Sequence, residues 1–184
     1  GLRPIVVGLA DRAKATIEAQ ASYSTDEGIR VAGRYTTYNR LNRADTISVG
    51  AQFAEILKRA DAQLTLPHWR RPNDTLRLTA QIYQDDTDAY RESDVGVRAE
   101  LTRRFGKTSY RTFGLALDAS DNDEKQLVAG AIVGVERQLF TVTGLAAWTL
   151  DRSDDPLQPT KGWKVDSRLE PTASAGDDTA VYLK

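Results

Sequence analysis

The chain has 184 residues, with 25 Lys and Arg against 26 Asp and Glu and a formal net charge of −1. That balance leaves no electrostatic footprint for nucleic acid, and the absence of cysteine excludes a disulfide framework, a thiolate metal site and a thiol nucleophile. No apolar run reaches the roughly 18 residues that mark a membrane-spanning helix. A mean hydropathy of −0.48 still permits a membrane barrel, because barrel strands turn only every second side chain to lipid.

Residues 1–11 (GLRPIVVGLAD) read as a short, fully buried strand, and the start at Gly1, directly before it and with no leader peptide, suggests a segment cut from a longer precursor. From Ala13 to Tyr23 the odd positions are Ala13, Ala15, Ile17, Ala19, Ala21 and Tyr23, and the even ones are Lys14, Thr16, Glu18, Gln20 and Ser22. Unbroken period-2 alternation gives a strand with one apolar and one polar face, and its length suits a tilted bilayer crossing of roughly 9–11 residues. The pattern recurs around Ile29–Tyr35, Ile47–Phe53, Ala62–Leu66, Leu76–Ile82, Val95–Leu101, Phe113–Ala119, Val142–Leu150 and Trp163–Leu169, with a last start at Ala180–Leu183. About ten strands joined by polar connections predict an antiparallel meander.

The connections fall into two sets. Asn39–Ala44, Pro67–Asp74, Arg103–Ser109 and Asp154–Gly162 belong at one end, and Ser24–Glu27, Glu55–Ala60, Asp85–Asp94 and the stretch after Ser120 at the other. Leu127–Gln138 (LVAGAIVGVERQ) fits an extension of its flanking strands, a small hairpin or a short helix. The extension is preferred, because one further crossing would invert every later strand.

A soluble β-sandwich would also alternate. Three features favour a barrel over it. The strands exceed the usual soluble length of about 5–6 residues. The polar sets are rich in Arg, Lys, Glu, Gln and Thr. Tyr23, Tyr35, Tyr38, Trp69, Tyr83, Tyr90, Phe105, Tyr110 and Trp163 fall near predicted strand ends, where an interfacial girdle would place them. The outward set would include Ile17, Val31, Val49, Leu64, Leu78 and Val97.

Candidates for chemistry are few. His68, the single histidine, lies in a turn whose nearest acid is Asp74, and a turn or interface role outweighs catalysis. Asp85, Asp86 and Asp88 have spacing reminiscent of a calcium loop but lack its Gly and closing Glu, so a solvated loop or weak cation site is expected. Asp151, Asp154 and Asp155 suit a hydrogen-bonded turn better than a cation site. No phosphate-binding glycine loop or nucleophile elbow is present. The reading is of a non-enzymatic protein with no catalytic residue, no metal and no cofactor.

Tyr23–Val31 (YSTDEGIRV) and Asn39–Ala44 (NRLNRA) resemble the bacterial surface-antigen superfamily of outer-membrane assembly barrels, which includes BamA and TamA. The carrying residues are Tyr23, Ser24, Thr25, Asp26 and Gly28, then Asn39, Leu41 and Arg43. A second match is Asp151–Trp163 (DRSDDPLQPTKGW), through Asp151, Asp154, Pro159 and Gly162. The turn Leu66–Trp69 followed by Thr75-Leu76-Arg77 also fits, and the start leans toward the TamA branch.

The resemblance implies an all-β, antiparallel transmembrane barrel of about 16 strands, with residues 1–11 ending a periplasmic POTRA domain or linker and 12–184 forming its first part. It further implies a bacterial outer-membrane location and insertion of barrel proteins such as autotransporters. A lateral gate would lie at Ala13, Ala15, Ile17, Ala19, Ala21 and Tyr23. The implied partners are outer-membrane lipid, nascent outer-membrane protein strands and a periplasm-spanning subunit, but not nucleic acid. A porin-like channel and a two-partner secretion transporter are the alternatives.

Overall fold

A computed structural model describes residues 13–25, 28–87, 90–128, 131–155, 157–177 and 179–184. The reading of residues 1–11 lies outside them. The described residues form one antiparallel sheet of eleven strands: β1 (Ala15–Ser24), β2 (Gly28–Tyr38), β3 (Thr46–Phe53), β4 (Leu57–Pro67), β5 (Asp74–Asp86), β6 (Tyr90–Arg104), β7 (Tyr110–Val128), β8 (Ala131–Asp151), β9 (Lys164–Leu169), β10 (Pro171–Gly176) and β11 (Ala180–Leu183). Each strand from β1 to β8 pairs with its sequence neighbours, β8 pairs with both β9 and β10, and β10 pairs with β11.

The strands β9 and β10 are one crossing. Leu169 stands opposite Ala146 and Thr172 opposite Thr143, so the register on β8 is unbroken. Glu170 exchanges both backbone bonds with Lys184. By the alternation of an antiparallel ladder, the next residue directs its backbone to β8. That residue is Pro171, which has no N–H, so one rung at Gly144 is missing. Gly144 leaves room for the ring, since a Cβ there would lie 3.2 Å from Pro171 Cγ. Ten crossings follow, as the alternation predicts, although the segment 171–176 was not foreseen as strand.

The register sorts the side chains. Ile17, Tyr35, Val49, Ala62, Ala80, Val97, Leu117, Val142, Ala173 and Val181 stand opposite one another from strand to strand, an apolar row across the whole sheet. The row one step along the strands is polar: Thr16, Thr36, Ser48, Gln63, Thr79 and Arg98 face one another from β1 to β6. Exposure runs opposite to a soluble sheet. Along β2 the apolar residues Ile29, Val31 and Tyr35 are exposed, while Arg30, Arg34 and Thr36 are half-buried.

Among the described residues only Ala54, Leu66 and Ala116 are fully buried apolar ones. When a fully buried aliphatic side chain contributes about 1.5–3 kcal/mol, three such residues cannot hold a soluble domain together. The sandwich alternative therefore fails for want of a dry core. A strand of 11 residues such as β2 or β4 extends about 33 Å, and at the usual tilt this matches an apolar band about 25 Å tall.

Several details depart from the sequence reading. The first strand begins at Ala15, because β2 ends at Tyr38 and the last rung on that side is Tyr38 N–H to the Lys14 carbonyl; Ala13 precedes the ladder. Residues 57–60, read as connection, belong to β4. Asp85 and Asp86 lie in β5 and not in a loop. Tyr35 is mid-strand and Tyr38, Tyr83, Tyr90 and Tyr110 face the polar side, so none of these serves a girdle, whereas exposed Phe53 and Phe140 stand on the apolar face near the end where Tyr23 lies. Leu127–Gln138 is the far end of the β7–β8 hairpin, where Leu127 pairs with Ile132 and Asp121 with Gln138. Both strands simply run on, as preferred above.

Candidate lateral edge and lumenal face

Among the described residues strand β1 pairs only with β2, so one side of its backbone has no ladder partner among them. Which groups lie there follows from the ladder. The Tyr38 N–H donates to the Lys14 carbonyl at 3.0 Å, and Ala15 stands opposite Thr37. Bonded and non-bonded pairs alternate, so the even residues of β1 spend their backbone groups on β2. Ala15, Ile17, Ala19, Ala21 and Tyr23 turn their N–H and C=O groups to the open edge. These same residues carry the apolar side chains, and Ile17 and Tyr23 are 81% and 75% exposed. The edge is a template for another strand whose lipid-facing positions would align with its own.

The polar face is cross-linked by hydrogen bonds between strands. Arg34 donates to Ser48 Oγ and to Asp61 Oδ1, each at 2.9 Å. Asp61 is two strands away, and the residue between them is Gly50. A Cβ at Gly50 would stand 2.6 Å from Arg34 Nη2, so only glycine lets the guanidinium reach across. Tyr83 donates to Glu92 at 2.6 Å, Thr149 to Asp166 at 2.6 Å, and Arg59 to Gln81 at 3.1 Å. A wall of this kind suits a water-filled interior.

The turns at one end explain the motif residues. In 39–45, Asn39, Asn42 and Ala44 have φ of 55°, 57° and 54°. Asn39 Oδ1 accepts the Ala44 N–H at 2.9 Å. The organising group is Asp45, 1% exposed, which sequence reasoning missed. Its carboxylate accepts the N–H groups of Leu41, Arg40 and Arg43 at 2.8, 3.1 and 3.4 Å. Burial pushes its pKa up, but the converging backbone N–H groups outweigh that and leave it below the ordinary value. Leu41 and Arg43 contribute backbone donors there, and their side chains are exposed. A short acidic side chain just before a strand was the available signal.

In the loop 152–163, Asp154 accepts the Thr160 hydroxyl at 2.6 Å and the N–H groups of Lys161, Thr160 and Asp155 at 3.0 Å each. Those bonds, the Thr160 hydroxyl foremost, hold its carboxyl well below the usual carboxylate range. Asp155 accepts from Leu157 and Gln158, and Asp151 from Ser153. Gly162 has φ of 108°, and a Cβ there would lie 2.7 Å from Ser153 Cα. Pro159 lies in the same loop, where no ladder donor is needed. At the opposite end Gly28, with φ of 67°, closes the β1–β2 hairpin opposite Ser24; Asp26 lies outside the described residues, and Tyr23 faces Ile29 across the apolar side.

No acid–base pair emerges among the described residues. His68 Nδ1–H donates to the Pro72 carbonyl within its own turn, and Asp74 is held by Arg103 through two bonds of 2.6 and 2.7 Å. Asp86 pairs with Arg91 at 2.6 Å and Asp85 accepts from Tyr90. Asp85 and Asp86 are thus strand residues with strand partners, and Asp88, the third acid of the suggested cation loop, lies outside the described residues. Among the described residues no cluster of three acidic or imidazole ligands could hold a metal.

The Omp85 superfamily domain model matches residues 39–184. The chain belongs to the Omp85 superfamily. The matched span begins directly after β2, so the open edge lies outside it. A solved structure of BamA from Haemophilus ducreyi, lacking POTRA domains 1–3, superposes with a TM-score of 0.59 at 12% identity. The match covers 92% of this chain and 35% of that one, so this chain spans about a third of the solved barrel protein. At that identity the likeness speaks to fold, and the shared fold is an outer-membrane β-barrel. No curated protein sequence matches the chain significantly. Family and fold together make this Omp85 chain a bacterial outer-membrane segment.

Proposed function

We propose that this chain is the first part of an outer-membrane assembly barrel that inserts other barrel proteins, autotransporters among them, through a gate at β1. The supporting observation is the edge itself. In lipid every backbone N–H and C=O needs a partner, and β1 offers a row of them at Ala15, Ile17, Ala19, Ala21 and Tyr23, with apolar side chains already facing lipid. An incoming strand could add to this ladder by β-augmentation. Three of the five outward side chains are alanines, which bury little area against a closing strand, so the seam costs little to open.

In this reading the complete barrel has about 16 strands and follows POTRA domains that lead into β1 from the periplasm. The Tyr-Ser-Thr-Asp start supports the TamA branch, working with a periplasm-spanning partner subunit, and no cofactor takes part. The turns at 39–45, 68–73, 105–109 and 152–163 then face the periplasm, and the long β7–β8 hairpin faces outward.

The test uses the full-length protein. Cysteines at Ala15 or Ala19 and on the facing last strand should form a disulfide when their Cα atoms approach within about 7 Å. The locked protein should fold and enter the membrane but insert no client, and reduction should restore insertion. A control pair at Leu78 and Ala99, opposite each other on β5 and β6, should leave insertion unchanged. Insertion at the wild-type rate with the seam locked would remove the gate and favour a channel or a secretion transporter.

A further inference from the structure

A cleft of about 720 Å³ lies at the foot of β1, where the apolar face meets the turn 39–45. It is lined by Lys14, Ala15, Tyr35, Thr37, Arg40 and Asn42, among others. We propose that it binds the phosphate headgroup of an anionic glycerophospholipid.

The lining is divided as such a ligand requires. Ala15 and Tyr35 belong to the apolar face, next to exposed Ile17 and Val49. Lys14 and Arg40 are exposed at the turn end, and neither forms an ion pair among the described residues. The adjacent acid, Asp45, forms no ion pair with either, its carboxylate being turned onto the backbone N–H groups of its own turn, and its single charge offsets only one of the two cations. The cleft therefore keeps a net positive charge of one.

Thr37 supplies an independent sign. It is 6% exposed, and its hydroxyl oxygen has no hydrogen-bond partner. It interrupts a row otherwise formed by Ala15, Ile47, Leu64 and Leu78. A buried hydroxyl without a partner is costly, and a phosphate oxygen seated in the cleft would accept its proton. The volume lies within the range of small-ligand sites, about 300–1,000 Å³. A free anion would use the two cations and waste the apolar floor, whereas a lipid uses both. Choosing glycerophospholipid over the phosphates of lipid A rests on the orientation proposed above, in which this end faces the periplasmic leaflet.

The experiment is native mass spectrometry of the full-length protein in mild detergent. Separate arms contain phosphatidylglycerol, phosphatidylethanolamine and lipid A, with inorganic phosphate as competitor. Phosphatidylglycerol should be retained over phosphatidylethanolamine and resist millimolar phosphate. The variant K14Q/R40Q should lose about ten- to thirty-fold in retention, from two interfacial cations, and Thr37→Val should weaken it further. The control R70Q/R71Q removes equal charge from the neighbouring turn and should change it less than about two-fold if the cleft and not bulk charge binds. Equal retention of both phospholipids, an equal loss in the control, or displacement by inorganic phosphate would each overturn the site. Preference for lipid A would overturn the glycerophospholipid assignment and the orientation with it. Client insertion is a separate readout, so loss of lipid selectivity with insertion intact would sink the cleft alone.

Discussion

Ala44 has φ of 54°, a conformation that costs an L-residue with a Cβ roughly 1–2 kcal/mol and glycine little. It persists because Asn39 and Asp45 fix both ends of the turn. Ala44→Gly should therefore stabilise the barrel by about 0.5–1 kcal/mol, read as a shift in the urea midpoint of the reconstituted protein, and Ala44→Val should do the reverse. Asp154 gives a pH-dependent counterpart. Its folded pKa lies well below the ordinary 3.8. The stabilisation it gives is thus fully present above the unfolded value and is lost as pH falls through the folded one. The stability gap between the wild type and Asp154→Asn should be constant above about pH 5 and shrink below 3.8. A gap that instead widened on acidification would mean that the carboxylate does not organise the loop. At this scale the sequence was only partly legible. Asp151, Asp154 and Gly162 stood out because turn chemistry has compositional marks, while Asp45 was missed because a lone acid beside a strand looks like any solvated charge.

The elements were more legible, because period-2 alternation is the direct imprint of a two-faced strand. Ten strands were visible, most of them at about the right places, though β8 begins well before Val142. What failed were the ends: residues 57–60 were read as a connection because Lys58 and Arg59 are charged and Ala60 is small, although Arg59 faces the polar side, where it donates a hydrogen bond to Gln81. The segment 171–176 was hidden by Pro171, which looks like a terminator and proves to be a single missing rung opposite Gly144. Glycines inside strands carried information that pattern alone does not show. Gly50 makes way for Arg34 to reach Asp61. Gly50→Val should dislodge that guanidinium and destabilise the protein by about 1 kcal/mol, a modest figure because the pair is partly exposed. In an Arg34→Ala background the same change should cost clearly less. Equal costs in both backgrounds would show that the glycine serves something other than the bridge.

For the whole molecule, the distribution of polarity decides the account. A sheet that exposes Ile17, Val31, Val49, Val97 and Leu115 on one face and lines the other with Thr, Gln and hydrogen-bonded Arg residues is stable only when an apolar medium covers the first face and water wets the second. The sequence carried this much, since alternation predicts two faces. It could not say which face is enclosed, because that depends on the curvature of the sheet and on register between distant strands. The most direct measurement is a spin-label scan of the full-length protein in lipid vesicles. Labels go at Val49, Leu64, Leu78 and Val97 on one face, and at Ser48, Gln63, Thr79 and Arg98 on the other. The first four should be relaxed by oxygen, which dissolves in lipid, and the second four by a water-soluble nickel complex, in strict alternation between neighbouring residues. Loss of that alternation, or shielding of the first four from both reagents as in a dry core, would contradict a transmembrane sheet.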